Sequence, residues 1–469
     1  MAVEVGVQSV AVAHAHPGKP EISDRLSLLS VITFSVATFP VSALGVALFV
    51  YLPPYLAGHL GVPLAAIGYV WATVRLVDLF VDPVLGHAMD RTRTPIGRYR
   101  AWLLAGVPVL MLAVYKLFMA PSGIGPGYIL VWLFVLYIGN SILILSQWAW
   151  GATLAREYHE RSRVFGVMTA VGVAAAVITL LIPIAAPALG MDSNAGVRAM
   201  GWFVIVLAPI TVGIAFFRTP ERLNANAGEQ FALADYLAII RKPEVIRLFL
   251  CQMALTLGPG WMSAMYLFYA RNILGFTTQR ATVLLLIYII AGIVGAPVTA
   301  RAAKRFGKHQ TLMITTTSFA LALFAIFAVP KGSMAAFAPV MFWCGFMAAG
   351  FGLMTNAMMA DVGDEIRLHQ NQERMSLLYA VLTFAAKIAA AGAISLTFPL
   401  LGWLGFNAAE GAHNTASALR GLEWAFLSGP VVFVTLGGVC VWGWKLDQAR
   451  HADVREKLDA RDAALAAGK

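Results

Sequence analysis

Stretches of about twenty apolar residues recur along almost the whole chain, and no other feature restricts its fold so strongly. A bilayer core about 30 Å thick is crossed by about 20 helical residues, each rising about 1.5 Å. Measured that way, candidate spans lie near 28–56, 63–87, 101–119, 127–150, 164–188 and 199–217, then near 247–270, 281–300, 311–329, 335–357, 375–401 and 422–444. Only 12% of the residues are charged, about half of the roughly 25% that a soluble domain carries. Lipid has to cover much of such a surface. The expected fold is therefore an all-α membrane protein with twelve transmembrane helices.

The spans fall into six, a polar break and six more. The break holds Arg218-Thr219-Pro220-Glu221-Arg222, an Asn/Ala/Gly run and Arg241-Lys242-Pro243. This arrangement predicts an N-terminal tail over 1–27, a six-helix bundle over 28–217, a linker over 218–246, a second six-helix bundle over 247–446 and a C-terminal tail over 447–469. No short apolar core with a small-residue cleavage site precedes the first span, which is expected to insert as an uncleaved anchor.

With both termini cytoplasmic, most of the 34 Lys and Arg residues fall in cytoplasmic loops and tails. The opposite side holds Arg198, Arg271, Arg280, Lys331 and Arg420. That asymmetry satisfies the positive-inside rule and accounts for the net charge of +10 as topology, not nucleic-acid affinity. Cys251, Cys344 and Cys440 sit in apolar stretches without paired spacing and read as small core residues. Pro53-Pro54 and Pro83 are expected to kink or end the first and second spans.

The second span carries charges that lipid should not hold, in Arg75-Leu-Val-Asp78-Leu-Phe-Val-Asp82-Pro83. Asp78 and Asp82 are four residues apart and share a helical face with Arg75. A charge at mid-bilayer costs about 3 kcal/mol even on the lenient scale, so these groups should face the bundle interior. Two carboxylates one turn apart suit a small cation or a proton; the alternative is a structural salt bridge. Lys387, alone in the eleventh span, is the expected partner for the surplus acid.

A basic, glycine-bearing turn with Asp90, Arg91, Gly97 and Arg98 follows the second span, and Lys304-Arg305-Phe-Gly307-Lys308 follows the eighth. Recurrence at matching places signals an internal repeat. Together with Arg75, these residues read as a latch between cytoplasmic helix ends. Asp361, Asp364 and Arg374, between spans ten and eleven, read as a matching latch or as a solvated loop. Ser146, Gln147, Trp150, Tyr266, Asn356 and Tyr379 are candidate substrate-binding groups within spans, although such side chains often only bond a neighbouring helix.

The pattern Arg75…Asp78…Asp82-Pro83…Gly86…Asp90-Arg91-Thr92…Gly97-Arg98, with Ala360-Asp361…Asp364 leading to Arg374 and Lys387, resembles the glycoside–pentoside–hexuronide:cation symporters. That branch of the major facilitator superfamily includes melibiose permease, and the resemblance runs along nearly the whole chain. It implies that Asp78 and Asp82 are the cation pair, Lys387 the eleventh-helix lysine and Trp150 an aromatic beside the sugar site. The chain departs from the family at three charged positions, where it reads Pro40-Val41-Ser42, Ser146 and Met168. The resemblance thus implies alternating-access symport of a small organic solute, such as a glycoside or sugar, with H⁺ or Na⁺. The departures keep a lysolipid or other amphipathic solute, imported or exported, as the alternative.

The nine histidines form no metal-ligand spacing, and no Walker-type loop or nucleophile–base constellation stands out, so an enzyme is not expected. The expected partners are the solute, the coupling cation and the bilayer, with no cofactor and no nucleic acid. The expected setting is a monomer in a bacterial inner membrane.

Overall fold

In the computed structural model, the described residues are 26–154, 158–190, 192–219, 221, 241–326, 329–370 and 374–467. Among them the chain is helical throughout. The first half comprises α1 Leu28–Gly58, α2 Leu64–Arg91, α3 Tyr99–Phe118, α4 Pro126–Leu154, α5 Tyr158–Ala185 and α6 Ser193–Arg218. The second comprises α7 Pro243–Asn272, α8 Thr278–Phe306, α9 Lys308–Ala325, α10 Met334–Gln370, α11 Met375–Trp403 and α12 Ala416–Cys440, followed by α13 Gln448–Ala467.

Eleven of these helices are long and apolar enough to cross a membrane, and the protein is a multi-pass membrane protein. The exception among α1–α12 is α9, which begins with Lys308, His309 and Gln310 and carries Thr315-Thr316-Thr317-Ser318. Its threonine hydroxyls turn back on their own helix: Thr311 donates to the Gly307 carbonyl at 2.8 Å and Thr316 to that of Leu312 at 2.9 Å.

Prolines shape two helices in different ways. Ahead of Pro53-Pro54, α1 widens into a π turn over Ala47–Tyr51, which relieves carbonyls that the proline rings would otherwise strike. The helix then continues to Gly58. Likewise α2 runs on through Pro83 to Arg91, so none of the three prolines ends its helix.

Close packing inside the second half rests on glycines. A Cβ on Gly345 of α10 would lie 2.0 Å from the Tyr288 carbonyl oxygen of α8, and one on Gly295 of α8 would lie 2.2 Å from that of Phe346. Only residues without a side chain let these backbones approach so closely.

The halves meet mainly along α2 and α11, which run antiparallel. Ala65 faces Gly402, and Gly68 faces Pro399 so tightly that a Cβ on Gly68 would lie 2.5 Å from the proline ring. Further from the linker, Tyr51 Oη and Thr282 Oγ1 share a hydrogen bond of 2.7 Å, and Gln279 donates to the Ile184 carbonyl at 3.0 Å. The Glu410 backbone N–H also donates to Gly58 O at 3.0 Å. This end, opposite the linker and α13, is termed distal below; here the two halves are closed against one another.

Candidate functional site

The charges of α2 are spread between its own half and the other. Asp78 is 4% exposed. One of its oxygens lies 3.5 Å from Arg75 Nη1, and the other accepts from Ser141 Oγ of α4 at 3.2 Å. Arg75 itself stacks on the Tyr137 ring of α4 at 4.2 Å and faces Phe49 of α1 at 5.4 Å. A guanidinium held between aromatic faces and a carboxylate is stabilised in three directions without water. Ser141 and Tyr137 escaped the sequence reading because a serine or tyrosine in an apolar run carries no sign of its partner.

Asp82, one turn on, pairs with Lys387 Nζ of α11. The second oxygen of Asp82 is buried and accepts no hydrogen bond among the described residues. Each carboxylate therefore has its own cation, but the cation of Asp82 comes from the opposite half. Neutralising that carboxylate, by a proton or a competing cation, would remove the electrostatic part of a bond between halves. A groove of about 240 Å³ between α2 and α11 is lined by Arg75, Asp78 and Lys387 with Leu76, Ile388 and Leu396.

Beside this cluster, a cavity of about 380 Å³ lies between α1, α7, α8 and α11. Its polar lining consists of Thr256, Ser263, Tyr266 and Tyr288, and no charged side chain contributes to it. The Tyr266 hydroxyl is already committed to the Ala281 carbonyl at 2.7 Å.

The other candidate residues are dispersed. Ser146, Gln147 and Trp150 are buried within the first half. Gln147 Nε2 donates to Thr38 Oγ1 at 2.8 Å, Ser146 Oγ lies 3.7 Å from Met89 S, and the Trp150 ring meets Phe34 edge-on at 5.2 Å. Asn356 and Tyr379 are exposed toward the linker end, with the tyrosine hydroxyl 3.3 Å from the Asn356 carbonyl.

At the linker end of the first half, Arg98 precedes α3, and Arg91 is exposed at the end of α2. The Asp90 side chain lies outside the described residues. Here Glu221 of the linker caps α3, accepting from the backbone N–H groups of Arg98 and Tyr99 at 3.0 Å and of Arg100 at 3.2 Å. A carboxylate at a helix N-terminus satisfies donors that the helix cannot. Gly97 is required by its φ of +117°, and a Cβ there would also push aside the Glu221 carboxylate. This cap was not foreseen, since its two parts lie 123 residues apart.

In the second half α10 runs past the apolar stretch to Gln370, so Asp361 and Asp364 are helical rather than in a loop. Lys308 Nζ holds Asp361 at 2.6 Å, and His451 of α13 reaches Asp361 at 3.2 Å and Asp364 at 3.0 Å. Arg450 pairs with Glu365 at 2.8 Å, and Arg367 with Asp462 at 2.9 Å. Arg374 stands at the N-cap of α11.

Residues 33–448 match the family described as MFS/sugar transport protein. The chain belongs to that family. This MFS/sugar transport protein is 22% identical to the glucuronide carrier protein homolog of Escherichia coli K12, with 94% of this chain and 97% of that one covered. It is 24% identical to the isoprimeverose transporter of Lactiplantibacillus pentosus, over 89% of this chain and 88% of the other. These relatives agree with the glycoside–pentoside–hexuronide symporter resemblance read from α2. Among solved structures, the nucleoside transporter NupG superposes with a TM-score of 0.66 at 13% identity, covering 89% of this chain and 100% of that one. An inward-facing, unoccupied bacterial homolog of the human lysosomal transporter Spinster gives 0.62 at 12%, over 92% and 97%. These likenesses show the fold. An MFS/sugar transport protein is a transporter, not an enzyme.

Proposed function

We propose that this protein is a cation-coupled symporter that carries a small organic solute, such as a glycoside or sugar, by alternating access. In this reading α9 also crosses the bilayer, giving twelve spans with both termini cytoplasmic, and the protein works as a monomer in a bacterial inner membrane without a cofactor. The distal closure then lies on the outer side, and the conformation described above is inward-facing.

The observation that carries the reading is the Asp82–Lys387 pair, an ionic bond between α2 and α11 beside the buried Asp78. A coupling ion, H⁺ or Na⁺, bound at Asp78 and Asp82 competes with Lys387 for a carboxylate. Its occupancy therefore shifts the balance between conformations, as coupling demands. The solute binds in the cavity between α1, α7, α8 and α11, where Tyr266 lies. Trp150, Gln147 and Ser146 support the α1 wall of that space, and Asn356 and Tyr379 lie on the way out. The basic turns after α2 and α8, with Asp90, Arg91, Arg98, Asp361, Asp364 and Arg374, serve as the inner latch.

Uptake into proteoliposomes under imposed Na⁺ or H⁺ gradients tests the proposal. Gradient-driven accumulation should disappear in Asp78→Asn and Asp82→Asn. If both variants still concentrate solute, the ion site is misassigned. The uncharged, largely apolar cavity favours a second reading, in which the solute is amphipathic or less polar than a sugar. Movement of lysolipids with sugars inert would select it.

A further inference from the structure

His59 immediately follows α1 and stands within the distal closure. Its ring stacks on Tyr55, with centroids 5.3 Å apart. The Nδ1 atom has two neighbours. Asn194 Nδ2 of α6, in the same half, lies at 3.0 Å, and Glu410 Oε2 of the loop between α11 and α12, in the other half, lies at 3.5 Å. The surrounding charges are Glu410 on that loop, Asp192 at the N-cap of α6 and Arg198 within α6, all of which act on the neighbouring Tyr55. Asp192 is engaged in capping α6 through Ala195 N.

A single ring nitrogen can serve only one of its two neighbours at a time. When the proton sits on Nε2, Nδ1 is an acceptor and takes the Asn194 amide hydrogen, which ties His59 to its own half. When both nitrogens are protonated, Nδ1–H is drawn to the charged Glu410 carboxylate in preference to the neutral Asn194 amide, whose Nδ2 now meets it donor against donor. Histidine is the side chain that makes this change near neutral pH. The side chains of His59 and Glu410 are each 38% exposed, so protons reach them from the aqueous phase.

The opposing loop is already in position. Its backbone bond from Glu410 N to Gly58 O spans 3.0 Å, and Asn407 and Asn414 brace it through bonds of 2.7 and 2.8 Å. Only the side chains have to respond.

We propose that His59, Asn194 and Glu410 form a proton-operated clasp on the distal gate, in which protonation moves the Nδ1 bond of His59 from Asn194 to Glu410 and favours the distally closed conformation. The clasp lies at the opposite end of the inter-half contact from Asp82 and Lys387. It is a separate proton response from any coupling at those residues.

Spin labels at Ser122→Cys and Ser417→Cys, one on each half at the distal end, would report the gate in the full-length protein in lipid nanodiscs, with the three native cysteines replaced by serine. The pH would be lowered from about 8 to about 5.5. The closed-to-open ratio should rise by about two- to five-fold, as fits one partly exposed ion pair. His59→Gln and Glu410→Gln should each abolish that increment. Asn194→Ala, which removes the competing donor, should move the transition to higher pH. A response of wild-type size in both His59→Gln and Glu410→Gln would overturn the proposal, as would a pH-independent ratio in the unsubstituted gate. Asp82→Asn should leave the response in place, which separates failure of the clasp from failure of the coupling site.

Discussion

At the residue scale, charge placement governs this protein. Lys387 and Asp82 neutralise one another across the halves, so removing one partner leaves the other beneath apolar helices without compensation. Breaking a wholly buried pair costs about 3–5 kcal/mol, but the Lys387 side chain is 36% exposed. We expect Lys387→Gln alone to cost about 1–3 kcal/mol, visible as a lowered unfolding temperature. The double variant Asp82→Asn with Lys387→Gln should recover most of that loss while still failing to concentrate solute. A double variant no more stable than the single one would mean that the pair is not energetically coupled. These charges could be read directly in the sequence, because Asp78, Asp82 and Lys387 interrupt apolar runs. Their neighbours could not. Ser141 and Tyr137 look like any polar residue in a span until the fold sets them against Asp78 and Arg75. The converse holds for Gln147 and Trp150, which stand out in sequence yet are packed against α1, because composition does not say which face of α4 a residue occupies.

At the scale of elements, glycines decide how near two helices can lie. Gly345 and Gly295 place the backbones of α8 and α10 in direct contact. Gly345→Ala should therefore separate a backbone from a backbone, which no rotamer change can relieve, and destabilise the second half by about 1–3 kcal/mol. Thermal unfolding of the purified protein would register it; an unchanged midpoint would show that α8 and α10 have slack. Gly68, against the Pro399 ring, sits instead at the seam between halves. A larger residue there should weaken the distal closure more than it weakens either half. Element positions followed well from the apolar runs, but element ends did not. Hydropathy stops where the chain leaves lipid, whereas α10 continues as a helix to Gln370 because its acids find partners on α13.

At the scale of the whole molecule, the linker-side surface is tied together by segments that sequence alone assigns to tails and connections. The C-terminal helix buries Val454 and Leu458 and pairs its Arg450, His451 and Asp462 with Glu365, Asp364 and Arg367 of α10. Deleting residues 448–469 should lower the unfolding temperature by a few degrees, since two apolar side chains of about 1.5–3 kcal/mol each lose their seat. It should also expose Asp364 and Glu365 to whatever the other half presents. An unaltered midpoint would indicate that the helix docks without contributing to stability. The same interdependence governs α9. Its Thr315 packs against Gly350 of α10 and its Thr316 against Gly438 of α12, so its polar stripe has a home only after later helices exist. During synthesis, then, α9 leaves the ribosome before the glycine faces that cover its hydroxyls, and its packing is complete only once α10, and finally α12, arrive.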